Sequence, residues 1–392
     1  MASLATVDKT VSLKVHFGDV VRNVDESVRD PQNSGLERYV GLEHIDPESL
    51  HIQRWGLISE GTSFTRRFRK GQVLFGKRRA YQRKVAVAGF DGLCSSDILV
   101  FEPKDDRLLP ELLPFICQSD GFFEHALDTS AGSLSPRTKF KELARYEFPL
   151  PPLDEQRRIA EILWAADEVI ISYKKTIEKT LSAMKSYRYE IFSEINATKY
   201  EKLGSLYEVQ LGKTISPSAR KGNNLKPYLC NINVQWDSID LSVIKQMSFN
   251  EQEEKKYLLK DGDILVCEGG EVGRAAIWNN DITEMYYQNA LHRLRPIGNR
   301  LLPEIFIQYM MYAADKGMLQ ALTGLSTIAH LTTVKLKTLL VPIPSECCQA
   351  EISCIFSNFK NAINAANISL NSAKALKNEL MNQFFLMKDK AD

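Results

Sequence analysis

Several residue strings in this chain have the makings of chemistry, and each falls short of it. Gly212-Lys213-Thr214 carries the closing letters of a phosphate-binding loop, but such a loop needs a glycine five positions before Gly212, where Tyr207 stands. Gly269-Gly270-Glu271-Val272-Gly273 imitates a dinucleotide-binding loop. With a glutamate inside it and no capped helix after it, the string reads as a hairpin turn. The six histidines, at 16, 44, 51, 125, 292 and 330, form no i,i+4 metal pair. There is no Asn-Pro-Pro-aromatic string of an amino-methyltransferase, and no nuclease cluster of paired acids with a lysine. The seven cysteines lack framework spacing. Cys347, Cys348 and Cys354 cluster without histidines, which suits reduced cytosolic thiols better than zinc. The sequence thus offers no catalytic constellation and no metal.

Residues suited to gripping nucleic acid are better represented. The whole chain has a formal charge of only +1, yet the tract from Arg66 to Lys84, RRFRKGQVLFGKRRAYQRK, holds no acid at all. Lys77, Arg78, Arg79, Tyr81, Gln82, Arg83 and Lys84 lie in or beside a turn between strand-like runs. Arginine can bind guanine edges bidentately, glutamine can pair with adenine, and lysine neutralises phosphate. Taken alone, such a tract also describes a solvated basic face. The loop with Ser133, Ser135, Arg137 and Lys139 is small, polar and basic, which suits close approach to a phosphate as well as ordinary turn chemistry. In the second half the counterparts are Lys213, Arg220 and Lys221, then Gly270, Gly273 and Arg274, and lastly Ser326, Thr327 and His330. Gln288 and Asn289, after Tyr286-Tyr287, have the amide chemistry for adenine, though tyrosines beside amides also describe a strand edge.

These residues need elements to position them. The length of 392 residues, with 44% apolar and 25% charged, predicts two or three packed domains. No stretch approaches the ~20 apolar residues of a membrane helix, and no secretory signal is visible. VLFGK, VAVAGF, DILVFEP, DILVCEG and AAIW read as strands, punctuated by Gly89, Asp91-Gly92, Gly269-Gly270 and Asn279-Asn280. Short helices are predicted from Pro110 and from Pro303, the latter ending near Gly317. Each half is therefore α+β rather than doubly wound.

The chain is also written twice. FPLPPLDEQRRIAEIL, from Phe148 to Leu163, is echoed by LVPIPSECCQAEISCIF, from Leu340 to Phe356. Pro149 matches Pro342, Pro151 matches Pro344, Gln156 matches Gln349 and Ile159 matches Ile352, all at one offset of 193 residues. Weaker landmarks keep their order upstream: Tyr39-Val40 with Tyr228-Leu229, KGQVLF with DGDILV, Pro110 with Pro303. Apolar stripes through Ile159, Ile162, Ala166, Val169 and Tyr173, and through Ile352, Ile355, Phe359, Ile363, Ala366, Leu370 and Ala373, predict two long amphipathic helices. Prolines and acids at each start suit a helix N-terminus. The expected organisation is a first variable domain over 1–150, a helix over 151–197, a second variable domain over 198–343 and a second helix over 344–392.

On these strings the chain resembles the specificity subunits of type I restriction-modification systems. PLPPLDEQRRIAEIL and its ragged copy carry most of the likeness, with KGQVLFGKRRAY, CSSDILVFEP and the lead-ins SAGSLSPRTKFKELARYEFPLP and LTGLSTIAHLTTVKLKTLLVPIP in support. The second box departs from the pattern, with Cys347-Cys348 in place of a Glu-rich pair and no basic residues after Gln349. The resemblance implies two target-recognition domains separated by two antiparallel coiled-coil helices with pseudo-twofold symmetry. Each domain would read one half of a split double-stranded DNA sequence. Two methyltransferase and two restriction subunits would assemble around the helices, with Gln156, Ile159, Ile162, Gln349, Ile352 and Ile355 at that interface. S-adenosylmethionine, ATP and Mg²⁺ would belong to those partners, and the chain itself would be a non-catalytic reader in a prokaryotic cytoplasm. Two alternatives share parts of this text: the specificity chain of a type IIB-like combined complex, and a purely structural coiled-coil adaptor.

Overall fold

The computed structural model describes residues 13–132, 135–194, 199–279, 282–323 and 330–385. It divides into two compact units. Unit 1 holds the chain up to Lys175 together with the stretch from Asn367 onward, and unit 2 holds Thr176–Ala366.

Unit 1 contains the strands β1 (Leu13–His16), β2 (Val21–Asn23), β3 (Arg38–Val40), β4 (Gly56–Leu57), β5 (Arg66–Phe68), β6 (Val73–Gly76), β7 (Val85–Val87), β8 (Gly92–Cys94), β9 (Ile98–Pro103) and β10 (Glu147–Leu150). One antiparallel sheet runs β2-β9-β6-β7, a second runs β4-β3-β8-β5, and β1 pairs with β10. β6 is buried along its whole length, as a short apolar run inside a sheet should be. Helices Leu113–Gln118 and Asp120–Asp128 cover the first sheet, and the core between them is aromatic: Phe17, Phe75, Phe101, Phe115, Phe122 and Phe148 are fully buried. Each such ring contributes about 1.5–3 kcal/mol by leaving water. The short helix expected from Pro110 begins at Leu113 instead, with Pro114 in its first turn.

Unit 2 repeats this plan. Its strands are β11 (Lys199–Lys202), β12 (Tyr207–Leu211), β13 (Leu225–Leu229), β14 (Val234–Gln235), β15 (Ser238–Ile239), β16 (Lys245–Ser248), β17 (Asp263–Cys267), β18 (Ala275–Trp278), β19 (Tyr286–Tyr287), β20 (Leu291–Pro296) and β21 (Leu340–Ile343). The sheet β12-β20-β17-β18 corresponds to β2-β9-β6-β7, β16-β13-β19 to β4-β3-β8, and β11-β21 to β1-β10. Even the parallel pair recurs, Tyr39 opposite Leu93 in one unit and Tyr228 opposite Tyr286 in the other. The Gly-rich string that imitates a dinucleotide loop closes the β17–β18 hairpin. The fold is α+β with an internal repeat.

Two long helices, Leu153–Glu194 and Glu346–Phe385, complete both cores. Within unit 1, Ile159 and Leu163 near the start of the first share a core with Met381 and Phe385 at the end of the second, so the helices run antiparallel. Within unit 2 the same arrangement brings Tyr187 against Phe356 and Phe359. The buried stripe of the first helix differs from the sequence expectation by one position. Ile159, Leu163, Asp167 and Ile170 are buried, whereas Val169 is 45% exposed. Asp167 explains the shift, because it is a polar residue on the buried face: His51 Nε2 lies 2.7 Å from its carboxylate, and Lys377 Nζ donates to it over 2.5 Å.

The start of each helix is held by one glutamine. Gln156 accepts from the Leu109 amide (2.9 Å) and donates to the carbonyls of Arg107 (2.7 Å) and Pro151 (2.9 Å). Gln349 accepts from Leu302 (2.9 Å) and donates to Arg300 (2.8 Å) and Pro344 (3.0 Å). These are the same three bonds, 193 residues apart. The expectation that Gln156, Ile159, Gln349 and Ile352 meet a partner subunit is corrected here: all four are buried in their own unit, and the glutamines spend their amides on its backbone. Ile162 and Ile355 are half-buried.

Candidate nucleic-acid interface

The basic turn of unit 1 is built on two strained residues. Between β6 and β7 the chain makes one short helical turn, Ala80–Gln82, flanked by Arg79 (φ 55°) and Arg83 (φ 51°), both left-handed. Left-handed non-glycine backbone costs on the order of 1 kcal/mol per residue and persists only where the surroundings fix it. Here the Arg79 amide donates to the Pro136 carbonyl over 2.8 Å. Arg83 is fixed through its side chain, which donates to the Gln118 carbonyl (2.9 Å), pairs with Asp120 (2.7 Å) and lies over the Phe123 ring.

The second loop singled out by sequence is drawn to the same place. Arg78 and Arg137 face each other as bridge partners, and Asp97 takes both guanidinium groups, Arg137 Nε at 2.9 Å and Arg78 Nη1 at 3.3 Å. Arg78 also donates to Ser135 Oγ at 3.2 Å. Burial alone would raise the Asp97 carboxyl, but the two arginines outweigh it and hold the group below the usual carboxylate range. Lys77 is half-buried without an ion pair to any described residue, and burial, with Arg66 nearby, lowers its ammonium below the ordinary lysine value. Arg79, Tyr81 and Lys139 are exposed, and none makes a side-chain bond to any described residue. Gln82 is half-buried and equally free. The structure therefore gathers Lys77, Arg78, Arg79, Tyr81, Ser135, Arg137 and Lys139 on one side of unit 1. Arg83 and Lys84 are half-buried and tied within the unit, the Lys84 ammonium donating to the Leu42 carbonyl over 2.6 Å. Ser133 lies outside the described residues.

Unit 2 presents the same backbone with different side chains. In unit 1 the Lys77 amide donates to the Asp97 carbonyl (2.9 Å) and the Thr138 amide to the Lys77 carbonyl (3.0 Å); in unit 2 Glu268 donates to Ala290 (2.9 Å) and Leu331 to Glu268 (2.8 Å). The turn before β9, with Ser95 donating to Val40 (3.1 Å) and Ile98 to Ser95 (3.0 Å), matches Gln288 to Leu229 (3.0 Å) and Leu291 to Gln288 (2.9 Å). Four backbone bonds thus frame one site in each unit. A lysine in the first frame becomes a glutamate in the second.

Around the second frame lie Gly270 at the hairpin tip, Gln288 and Asn289 on the turn, and His330 beside Leu331. Gly270 has φ +76° and a Cβ there would meet only Asn231 Nδ2, at an ordinary 3.6 Å, whereas a Cβ on Gly273 would sit 2.3 Å from Leu319, so Gly273 serves packing. Lys213 is also corrected: it is buried, paired with Glu253 and lies over the Phe249 ring. Arg274 is held by the Asn231 carbonyl (2.6 Å) and Glu271 (3.2 Å). Arg220 is exposed on the helix Pro217–Lys221, which Lys221 closes, and no bond links that helix to the frame. Ser326 and Thr327 lie outside the described residues. Sequence reasoning missed Asp97, Ser95, Ser96, Glu268 and Asn231. The first three were reachable, because the offset of 193 runs on upstream through Pro110/Pro303 and Pro103/Pro296 to set Ser95-Ser96 against Gln288-Asn289. Among the described residues no group of His, Cys, Asp or Glu could hold a metal, and no helix is long and apolar enough to cross a membrane.

Comparison with known proteins bears on both frames. A family model described as the type I restriction modification DNA specificity domain matches residues 56–183 and again 197–372. The chain is similar to the type I restriction enzyme EcoDI specificity subunit of Escherichia coli, with 28% identity over 173 residues. That match covers 42% of this chain and 36% of the E. coli protein, little more than a third of its length. Two solved structures share the fold. One belongs to work on complex assembly and conformational transition of the type I R-M system, with TM-score 0.62 and 21% identity over 95% of this chain and 97% of that one. The other is a type I restriction-modification system S subunit from M. genitalium, with TM-score 0.58 and 15% identity over 98% and 99% of the two chains.

Proposed function

Since the chain belongs to the type I restriction modification DNA specificity family, we propose that it is the DNA-recognition subunit of a type I restriction-modification complex, each unit reading one half of a split target. The observation that carries this reading is the duplicated frame: four equivalent backbone bonds hold unrelated side chains, Lys77 and Asp97 in one unit, Glu268 and Ala290 in the other. A constant scaffold with exchanged side chains is what a family needs if each member is to read a different sequence. The basic, arginine-rich frame of unit 1 supplies both phosphate grip and base-edge donors.

In this reading the chain performs no catalysis. Two methyltransferase and two restriction subunits join it, and S-adenosylmethionine, ATP and Mg²⁺ are bound by those partners. The long helices then serve to hold the readers and receive the partners. Exchanging residues 14–150 for the matching segment of another specificity subunit tests the proposal. The methylated motif of the assembled methyltransferase should change in one half and persist in the other. A hybrid in which both halves change would overturn independent reading by the two units.

A further inference from the structure

We infer that Gln288 and Asn289 are the base-reading side chains of unit 2 and that they take an adenine edge. This rests on the DNA-reading function proposed above and names the chemistry of its second site. The two residues occupy the turn between β19 and β20, the position that Ser95 and Ser96 fill in unit 1. Both side chains are half-buried, and neither bonds to any described residue.

Their backbone is fixed from several sides. Besides the two frame bonds of Gln288, the Asn289 amide donates to the Lys213 carbonyl over 3.0 Å, and Glu268 ties the neighbouring Ala290. Gly212 packs so closely beneath the turn that a Cβ there would lie 2.3 Å from the Gln288 carbonyl oxygen. Half-exposed amides on a rigid turn, without a partner among the described residues, can exchange water for a base edge without first breaking a bond within the chain. The same turn in unit 1 is self-satisfied, because Ser95 Oγ accepts from the Asp97 amide over 3.2 Å.

The surrounding charges select the occupant. Lys213 is committed to Glu253, and Arg274 to Glu271 and the Asn231 carbonyl, so no described cation beside the frame is free for phosphate. The Glu268 carboxylate makes no ion pair with any described residue and repels a phosphate there. What remains is amide, and Asn231 adds a third unpaired one, its Nδ2 3.6 Å from where a Cβ on Gly270 would stand. An amide offers one donor and one acceptor in a plane. This complements the adenine N7 acceptor and N6 donor in the major groove, whereas guanine presents two acceptors there and calls for two donors.

The test uses the complete methyltransferase assembled on this chain. Its motif is mapped first, and binding is then measured to duplexes in which each base of the unit 2 half-site is replaced in turn. Two variants are compared with the parent: Gln288→Ser with Asn289→Ser, which installs the serines of unit 1, and Gln288→Glu, which keeps the shape and removes the donor. Each should bind the cognate duplex about 10- to 100-fold more weakly, the range of one lost bidentate pair. Each should also stop discriminating at a single A·T pair, with the other half-site read as before. Full discrimination at every adenine in both variants overturns the inference. So does an even loss across both half-sites, which is what a damaged turn produces. A parent complex without any split motif would instead overturn the function proposed above.

Discussion

Arg79 and Arg83 stand four positions apart in one turn, share left-handed backbone and end in opposite roles. Arg79 is exposed with no side-chain partner among the described residues, while Arg83 is tied to Asp120, the Gln118 carbonyl and the Phe123 ring. Replacing Arg79 by Ala should leave the melting temperature of the chain unchanged. It should weaken specific DNA binding of the assembled complex by about 1–3 kcal/mol if a base contact is lost, or reduce the salt slope by about 1 if a phosphate contact is lost. Replacing Arg83 by Ala should instead lower stability by about 1–2 kcal/mol, which denaturant titration measures, because it frees a strained backbone and strips a carbonyl and a carboxylate of their donor. Equal DNA-binding losses with unchanged stability in both variants would contradict this division. The basic tract was legible as a tract from its letters alone. Which of its cations are free was not, since the acceptors that bind Arg83 and Lys84 come from residues 118–120 and 42, distant in sequence.

Among the elements, the long helices were the most legible, and their phase the least. Periodicity found both, but a stripe scored on apolar letters slides off a face that carries Asp167 in one helix and Lys377 in the other. These two are 3% and 4% exposed, and His51 and Gln118 complete their bonding. Burial alone would raise the Asp167 carboxyl; His51 and Lys377 together outweigh it and hold the group below the ordinary range. A carboxyl with a lowered folded value stabilises the protein above its unfolded pKa, and loses that effect only as the pH falls through the folded value. Burial also lowers the Lys377 ammonium despite Asp167, so the pair should be intact at neutral pH and lost at both ends, in acid as the carboxyl protonates below its ordinary range and in alkali as the ammonium deprotonates below its ordinary range. Asp167→Ala alone leaves a buried ammonium unpaired and should cost about 3–5 kcal/mol, whereas Asp167→Leu combined with Lys377→Met should fall near the parent. Urea unfolding of the single and double variants decides it. A double variant as unstable as the single one would mean that packing, not the unpaired charge, sets the loss. The five runs read as strands are β6, β7, β9, β17 and β18, because short apolar runs between turn residues leave few alternatives, whereas many of the others are two or three residues long and carry no such run. The frames were not legible, since a backbone hydrogen bond leaves no letter behind.

At the scale of the molecule, the repeat shows how little of a sequence need be retained to keep an architecture. Gln156 and Gln349 hold the same three backbone groups, and the sheets match strand for strand, while the framed side chains between them diverge. Unit 2 is one continuous stretch, Thr176–Ala366, but unit 1 draws Met381, Phe385 and Lys377 from beyond Asn367. A chain ended at Ala366 should consequently keep unit 2 folded and expose unit 1. Met381 and Phe385 each carry about 1.5–3 kcal/mol of burial, and Asp167 would lose its lysine. Limited proteolysis should then cleave within residues 13–175 first, and protection there equal to that of unit 2 would contradict the expectation. The same discontinuity sets an order in time. A ribosome releases the chain from its first residue, and domains generally fold as units as they emerge. Here the part made first has to wait, with one flank of its aromatic core uncovered, until the last helix has been synthesised, while the part made second closes before it. The first reader to be translated is the last to be finished, and its waiting interval is the stage at which a chaperone has most to protect.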